Sequence, residues 1–286
     1  MRARRLTRWT RSEVGGLDSS QFVGAELVRY PSKDGVTVPA FLFKPRNAAS
    51  AKLPVVIIWH GGPEGQSRPT FSTFVQLLAT ELGLAVLLPN VRGSDGYGKS
   101  FLSMDNGVKR EQALADIGAT LDYIASRGDL DSTRVGVYGG SYGGYMTLAT
   151  AAFYGKRIRA AVDVVGISNL VTFLQNTQAY RRDLRRAEYG DERDPAVKAV
   201  QERISPLNSV DKIEAELMVI QGKNDPRVPQ SEAEQIVQAL RKRGKDVWYV
   251  LGLNEGHGFQ KKENRDFTTA GTALFFQQKL LPQGVQ

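Results

Sequence analysis

A serine enclosed by glycines is the most informative short pattern in the chain. Residues 139–143 read Gly-Gly-Ser-Tyr-Gly, with Ser141 at the centre. The pattern follows an apolar segment that predicts a strand and precedes one with helical periodicity, the setting in which G-x-S-x-G presents a nucleophile. Glycines on both sides let strand and helix approach without Cβ clashes, and the turn raises the hydroxyl above the sheet. We therefore interpret Ser141 as a nucleophile, against the alternative of a glycine-rich turn without chemistry.

A serine hydroxyl needs a base to become a nucleophile. The chain contains two histidines, His60 and His257. Where a serine lies in a turn of this kind, the chain order is serine, then acid, then histidine, and only His257 follows Ser141. It lies in a glycine-flanked loop after the last predicted strand. The order therefore predicts His257 as general base and His60 as a structural residue.

The acid that orients the base should follow a strand between these two positions. Asp225 comes just after the apolar segment 217–220, which predicts a buried strand. Its role would be to hold His257 in one tautomer and to stabilise the imidazolium. Asp211 precedes that strand and Asp246 precedes the next one, so both would lie at the wrong end of the sheet. An Asx-turn without catalytic function is the alternative for Asp225.

The negative charge that develops on the substrate oxygen needs backbone N–H donors. One donor is expected from the residue after the nucleophile, Tyr142. The other is expected from the loop after an earlier strand, and His-Gly-Gly-Pro at 60–63 directly follows the apolar run that ends at Trp59. Glycine allows close approach to the substrate, so we predict the N–H of Gly62 as the second donor.

Strands alternating with helices must position these loops. Strands are predicted at 53–59, 84–88, 134–138, 160–165, 217–220 and 247–251, and helices at 73–82, 111–125, 145–154, 230–243 and 265–280. Such alternation predicts an α/β fold, a mostly parallel sheet with helices on both faces. Residues 26–44 predict an antiparallel hairpin at its edge. The polar segment at about 168–212 is expected to be a helical insertion over the carboxyl edge of the sheet.

These motifs together resemble the catalytic domain of the prolyl oligopeptidase family of serine peptidases, and most closely its acylaminoacyl-peptidase and dipeptidyl-peptidase-like members. The matching pieces are 60–63, 90–98, 139–145, Asp225 and 256–258. The resemblance implies the α/β-hydrolase fold for a domain over 25–286. It also implies that Arg92 and Gly93 belong to a structured loop near the rim of the site, where we interpret them as scaffold.

Members of that family typically carry an N-terminal β-propeller that screens the site, and the 286 residues leave no room for one. Residues 1–24 resemble an arm or the remnant of a linker from such a propeller. The chain is then expected to be a separated catalytic domain or a natural short form with a more open site. An open site weakens the case for strict exopeptidase specificity and favours esterase activity.

The combined expectation is a serine hydrolase that forms an acyl-enzyme on a small ester or a short acylated peptide, without metal or cofactor. The acyl or P1 pocket is expected in the insertion, and plain core is the alternative for its four residues. They are Ile167, Leu170, Phe173 and Leu174. Two other functions stay open, a carboxylesterase on small acyl esters and a non-catalytic basic binding module.

Composition restricts the remaining functions. The chain has no cysteine, which excludes disulfides, thiolate metal sites and a cysteine nucleophile. The formal net charge is +8, but its arginines, in the N-terminal arm and at 181, 182, 185 and 186, are interpreted as a tail and a solvated helix face without a nucleic-acid partner. No apolar run reaches the roughly 18 residues of a membrane span. A cytoplasmic protein without a membrane partner is expected, and a homo-oligomer is left open.

Overall fold

The computed structural model describes residues 7–10, 14–46 and 52–281 of the chain. Within these ranges, the strands form one mixed sheet and the helices pack against it. Of the predicted N-terminal arm and catalytic domain, residues 1–6, 11–13, 47–51 and 282–286 lie outside the described residues. No helix in the described ranges combines the length and apolar composition of a membrane-spanning segment.

Eight strands form the sheet in the described part of the chain. They are β1 Ala25–Pro31, β2 Thr37–Phe43, β3 Leu53–Trp59, β4 Ala85–Pro89, β5 Leu130–Gly140, β6 Ala160–Val164, β7 Glu216–Gly222 and β8 Val247–Gly252. Their order is β1-β2-β4-β3-β5-β6-β7-β8. The β1–β2 and β2–β4 pairs are antiparallel and all the others are parallel. The predicted parallel sheet with an antiparallel hairpin at its edge is confirmed.

Helices cover both faces of the sheet, as predicted. They are α1 Thr73–Gln76, which continues into a π-helical turn at Leu77–Glu81, α2 Lys99–Leu102, α3 Arg110–Ser126, α4 Tyr142–Tyr154, α5 Leu170–Asn176, α6 Ala179–Tyr189, α7 Pro195–Ile204, α8 Gln230–Arg241 and α9 Lys262–Leu280. Buried side chains of α3, α4 and α8 belong to one core cluster and those of α1 and α9 to another. The sheet separates these two clusters, which is why its central strands read as continuous apolar runs.

Glycines make the crossing between β5 and α4 unusually close. A Cβ on Gly143 would lie 2.2 Å from the carbonyl oxygen of Trp59, and one on Gly139 would lie 2.2 Å from the carbonyl oxygen of Gly143. A Cβ on Gly144 would lie 2.4 Å from Oδ1 of Asp163 on β6. Real side chains cannot be placed at such distances, so these glycines are what allows α4 to begin directly against three neighbouring strands.

The segment between β6 and β7 contains α5, α6, α7 and the 3₁₀ helix Pro206–Lys212. A buried carboxylate fastens its beginning to α8. Glu232 accepts hydrogen bonds from the backbone N–H groups of Ser168 and Asn169, at 3.1 and 2.9 Å, and from the hydroxyl of Thr172 at 2.5 Å. The start of this segment is therefore fixed to the helix that follows the loop of Asp225.

We expect Asp163 to make stability depend on pH. Burial raises the pKa of its carboxyl to about 8, against an ordinary value of 3.8. As pH rises between these values the unfolded chain ionises while the folded chain keeps its proton, so folding becomes less favourable. Asp163→Asn removes this penalty, and denaturant unfolding should show the variant gaining stability over the wild type between about pH 5 and about pH 8. A difference that stays constant over this interval would contradict the burial of an uncompensated carboxyl.

Candidate active site

Ser141 occupies the tip of the turn between β5 and α4. Its backbone has φ 61° and ψ −119°, a conformation that non-glycine residues rarely adopt. The surroundings hold it there, because its N–H donates to the carbonyl of Val164 at 2.9 Å and its own carbonyl accepts from the N–H of Tyr145 at 3.0 Å. The hydroxyl is thereby presented at the carboxyl end of β5, as the glycine pattern predicts.

A chain of two hydrogen bonds joins Ser141 to a buried carboxylate. The Ser141 Oγ lies 3.1 Å from Nε2 of His257, and Nδ1 of His257 lies 2.8 Å from Oδ2 of Asp225. The Asp225 side chain is fully buried, whereas that of His257 is 18% exposed. With Nδ1–H donating to the carboxylate, Nε2 is left as the acceptor for the serine hydroxyl. The structure therefore brings together the three residues selected from the sequence.

The loop after β7 fixes Asp225. Its second oxygen, Oδ1, accepts from the backbone N–H groups of Arg227 at 2.8 Å and Val228 at 3.0 Å. The loop of His257 lies directly against the end of β7, because a Cβ on Gly222 would be 2.1 Å from the carbonyl oxygen of Gly256. Two loops far apart in sequence are thus held together by close backbone contact.

The other two aspartates lie elsewhere. Asp211 is in the 3₁₀ helix before β7, and Asp246 immediately precedes β8. Both positions are at the amino ends of their strands, opposite the end at which Ser141 and His257 meet. Their placement agrees with the reason for setting them aside.

Two backbone N–H groups are available near the serine. As the first residue of α4, Tyr142 has no intrahelical acceptor for its N–H. The N–H of Gly62 makes no hydrogen bond within the ranges that the structure describes. The loop of Gly62 lies beside Ser141, since a Cβ on Gly61 would be 3.7 Å from the Cβ of Ser141. Both N–H groups are in the neighbourhood where a substrate oxygen would need donors.

His60 stabilises this loop and makes no hydrogen bond to Ser141 in the described part of the chain. Its Nδ1 donates to the carbonyl of Gly61 at 2.9 Å, and its Nε2 lies 2.8 Å from the hydroxyl of Ser94. Burial lowers the pKa of His60, which favours the neutral imidazole. The contact ties loop 60–63 to loop 90–98, and so connects two of the sequence motifs.

Beside the serine lies a cavity of about 570 Å³. Ser141, His257 and Gly62 line it together with Ile167 and Phe173, two of the four residues predicted for the substrate pocket. The other two, Leu170 and Leu174, are fully buried in the core instead. They are four residues apart and share one face of α5, and that face packs inward.

Helix α6 supplies cavity residues that the sequence reasoning missed. Its contributions are Arg181, Leu184, Arg185, Ala187, Glu188 and Tyr189. The interpretation of the arginines as a solvated face is therefore incomplete, because Arg181 and Arg185 line the cavity. Two features of the sequence could have indicated this. The two arginines share one helix face by their i, i+4 spacing, and their segment is expected over the carboxyl edge of the sheet. From other loops, Glu64, Asn106, Arg227 and Val228 complete the lining.

Comparisons with a family model and with known proteins point to the same family. The family model described as "Prolyl oligopeptidase family" matches residues 69–283. Dipeptidyl aminopeptidase BIII of Pseudoxanthomonas mexicana is 36% identical over 274 residues, which cover 92% of this chain and 40% of that protein. Dipeptidyl peptidase family member 6 of Caenorhabditis elegans is 32% identical over 296 residues, with 95% and 40% covered. The chain thus spans about two fifths of the length of these relatives.

Solved structures agree in fold. A puromycin-hydrolysing peptidase of Mycobacterium tuberculosis matches with a TM-score of 0.83 and 27% identity, over 96% of this chain and 42% of that one. The acylaminoacyl peptidase of Pyrococcus horikoshii matches with a TM-score of 0.82 and 24% identity, over 93% and 43%. The family model covers more than half of this chain, and the predicted α/β-hydrolase fold is confirmed. The chain belongs to the prolyl oligopeptidase family of serine peptidases.

Proposed function

We propose that this chain is a serine hydrolase that cleaves acyl bonds through an acyl-enzyme, with Ser141, His257 and Asp225 as its catalytic residues. The observation that carries the proposal is the unbroken hydrogen-bonded chain from the Asp225 carboxylate through the imidazole to the Ser141 hydroxyl. That chain activates a hydroxyl which would otherwise be a weak nucleophile.

In the first half of the reaction Ser141 Oγ attacks the substrate carbonyl while Nε2 of His257 takes its proton. Asp225 stabilises the imidazolium and keeps its ring oriented. The carbonyl oxygen becomes an oxyanion, for which we assign the N–H groups of Tyr142 and Gly62 as donors. Collapse of the tetrahedral intermediate breaks the bond to the leaving group, which receives the proton from His257.

In the second half a water molecule replaces the leaving group. His257 takes a proton from the water as its oxygen attacks the acyl carbon, and a second oxyanion forms at the same donors. When this intermediate collapses, the acid product departs and Ser141 regains its proton from His257. Each step uses the same three side chains, so the proposal needs no further catalytic group.

The cavity favours short peptide substrates with an apolar residue at the acyl position. Ile167, Phe173 and Val228 are apolar parts of its wall. Arg181 and Arg227 also line it and have no ion-pair partner in the described residues, so their guanidinium groups are free to donate to peptide carbonyl oxygens. Two relatives are named dipeptidyl aminopeptidase and acylamino-acid-releasing enzyme, and one structure of similar fold is named acylaminoacyl peptidase. We therefore propose an acylaminoacyl-peptidase-like activity with esterase activity, carried out by the domain at 25–286 with its insertion at 168–212.

Three reporter substrates distinguish this activity from its alternatives. We expect p-nitrophenyl butyrate and acetyl-phenylalanine p-nitroanilide both to be hydrolysed, because one acyl-enzyme mechanism serves ester and amide. Alanyl-phenylalanine p-nitroanilide, with a free amino terminus, tests the dipeptidyl alternative, and Ser141→Ala is the control for background hydrolysis. Cleavage of the ester alone would favour the carboxylesterase. Hydrolysis of none by the folded protein would leave only the binding module.

Replacing the acid tests its assignment. Asp225→Asn should lower kcat by up to about 10⁴ with the fold intact, because the amide no longer fixes the imidazole in the required tautomer. Asp211→Asn and Asp246→Asn are matched controls of the same chemistry and should leave kcat near the wild-type value. A large loss in either control, with none in Asp225→Asn, would show that another aspartate orients the base.

A further inference from the structure

A fully buried ion pair lies behind the cavity wall, in contact with the side chain of Tyr142. Arg110, at the start of α3, and Asp105 are both 0% exposed, and their Nη1 and Oδ2 atoms are 2.7 Å apart. Neither residue lines the cavity, and the reaction proposed above uses neither of them. The guanidinium also donates through Nη2 to the carbonyl of Glu188 at 3.0 Å, which connects α3 to the end of α6.

Two tyrosine rings flank the guanidinium. Its central carbon lies 5.1 Å from the ring centroid of Tyr142 and 4.4 Å from that of Tyr189, within the range of cation–π attraction. Both rings are buried, and they meet edge to face with centroids 6.1 Å apart. The Tyr142 hydroxyl donates to Asp105 Oδ2 at 3.4 Å. Ion pair and rings therefore form one packed unit.

Each ring belongs to, or contacts, one of the two proposed oxyanion donors. Tyr142 is itself the residue whose N–H is assigned as one donor. The Tyr189 hydroxyl donates to the carbonyl of Gly62, the other donor residue, at 3.5 Å. A second contact from the same end of α6 runs to Glu64, two residues after Gly62, whose N–H donates to Glu188 Oε1 at 3.4 Å.

Gly93 makes room for the ion pair. It has φ +90°, and a Cβ there would lie 2.3 Å from the carboxyl carbon of Asp105. The motif at 90–98 is thereby connected to the site, since Asp105 can approach only because residue 93 has no side chain.

Stability alone does not account for this arrangement. The cost of removing two charges from water offsets most of their mutual attraction, so a buried ion pair adds little net stability compared with apolar residues of the same size. Its contacts join groups from separate elements, since the guanidinium touches the rings of Tyr142 and Tyr189 and the carbonyl of Glu188. Oxyanion donors depend on a fixed geometry, because they act only when preorganised around the developing charge.

We propose that Arg110, held by Asp105, is a positioning residue that aligns both halves of the oxyanion hole through the rings of Tyr142 and Tyr189. The inference rests on the proposed function, because it presupposes that Ser141 attacks the substrate carbonyl and that this hole binds the oxyanion that forms. Its effect is specific to the transition state. Loss of the unit should lower kcat and leave KM nearly unchanged.

The main test replaces both charges together, Asp105→Asn with Arg110→Met, so that no unpaired charge remains buried. We expect the rate of fluorophosphonate labelling and kcat for p-nitrophenyl butyrate to fall roughly 10- to 100-fold, less than the loss of a whole oxyanion donor. A trifluoromethyl ketone forms an adduct that carries an oxyanion, so its inhibition constant should rise by a similar factor. KM should change less than about two-fold.

Tyr189→Phe keeps the ring and removes only the contact with the Gly62 carbonyl. In this variant the labelling rate and kcat should fall, and the inhibition constant of the ketone should rise, by smaller factors than in the double variant. The melting temperature should be unchanged. Tyr154→Phe is the matched control, since it removes a hydrogen bond to the carbonyl of Leu114 away from the cavity. It should label at the wild-type rate.

Wild-type labelling rates in both the folded double variant and Tyr189→Phe would overturn the inference, as would a loss confined to KM. If the double variant does not fold, Tyr189→Phe decides, and an unchanged rate in it overturns the inference. Failure of the wild-type protein to label at all would instead overturn the proposed function, and this inference with it.

Discussion

Ser141 holds a positive φ where β5 meets α4, and the rest of the site depends on this conformation. A serine at φ 61° is unfavourable in isolation, so the surrounding structure must stabilise it. It does so through the Val164 carbonyl and through glycines that let the Trp59 carbonyl approach α4. This strained conformation exposes the hydroxyl at the edge of the sheet and places the first N–H of α4 beside it.

The parallel strands then bring the other groups to the same edge. The loop of Gly62 follows β3, Asp225 follows β7 and His257 follows β8. These strands are parallel, so the loops that follow them all begin at the same edge of the sheet. Residues far apart in sequence therefore meet there without any additional element to bring them together. Close backbone contact between Gly222 and Gly256 brings the loops of Asp225 and His257 together.

Sequence patterns predicted this framework because each part is local. The apolar runs predicted the strands, and chain order with only two histidines selected the residues that the structure joins. Other features depend on contacts that no local pattern encodes. Arg110 and Asp105 read as ordinary charged residues near a helix start. Only the fold shows that they are buried and that two tyrosine rings flank the guanidinium.

Helix α6 illustrates a second limit of local patterns. Its arginine-rich sequence is typical of a solvated surface, and the sequence of the helix by itself does not predict that it covers a cavity. Ion pairs such as Arg185 with Glu188, at 2.6 Å, make one face compatible with a partly buried position. Leu170 and Leu174 show the opposite case, since apolar residues expected at the pocket face the core. Which side of a helix meets the cavity follows from its packing on the sheet.

Fluorophosphonate labelling with mass-spectrometric mapping tests the central claim most directly. The reagent should modify Ser141 in the wild-type protein. His257→Ala should abolish the reaction, because the hydroxyl then lacks its base. His60→Ala should still react, at a rate reduced by roughly 10- to 100-fold if the Gly62 donor is disturbed. An adduct on a different serine, or a folded His257→Ala protein that labels while His60→Ala does not, would contradict the claim that Asp225, His257 and Ser141 form the catalytic site.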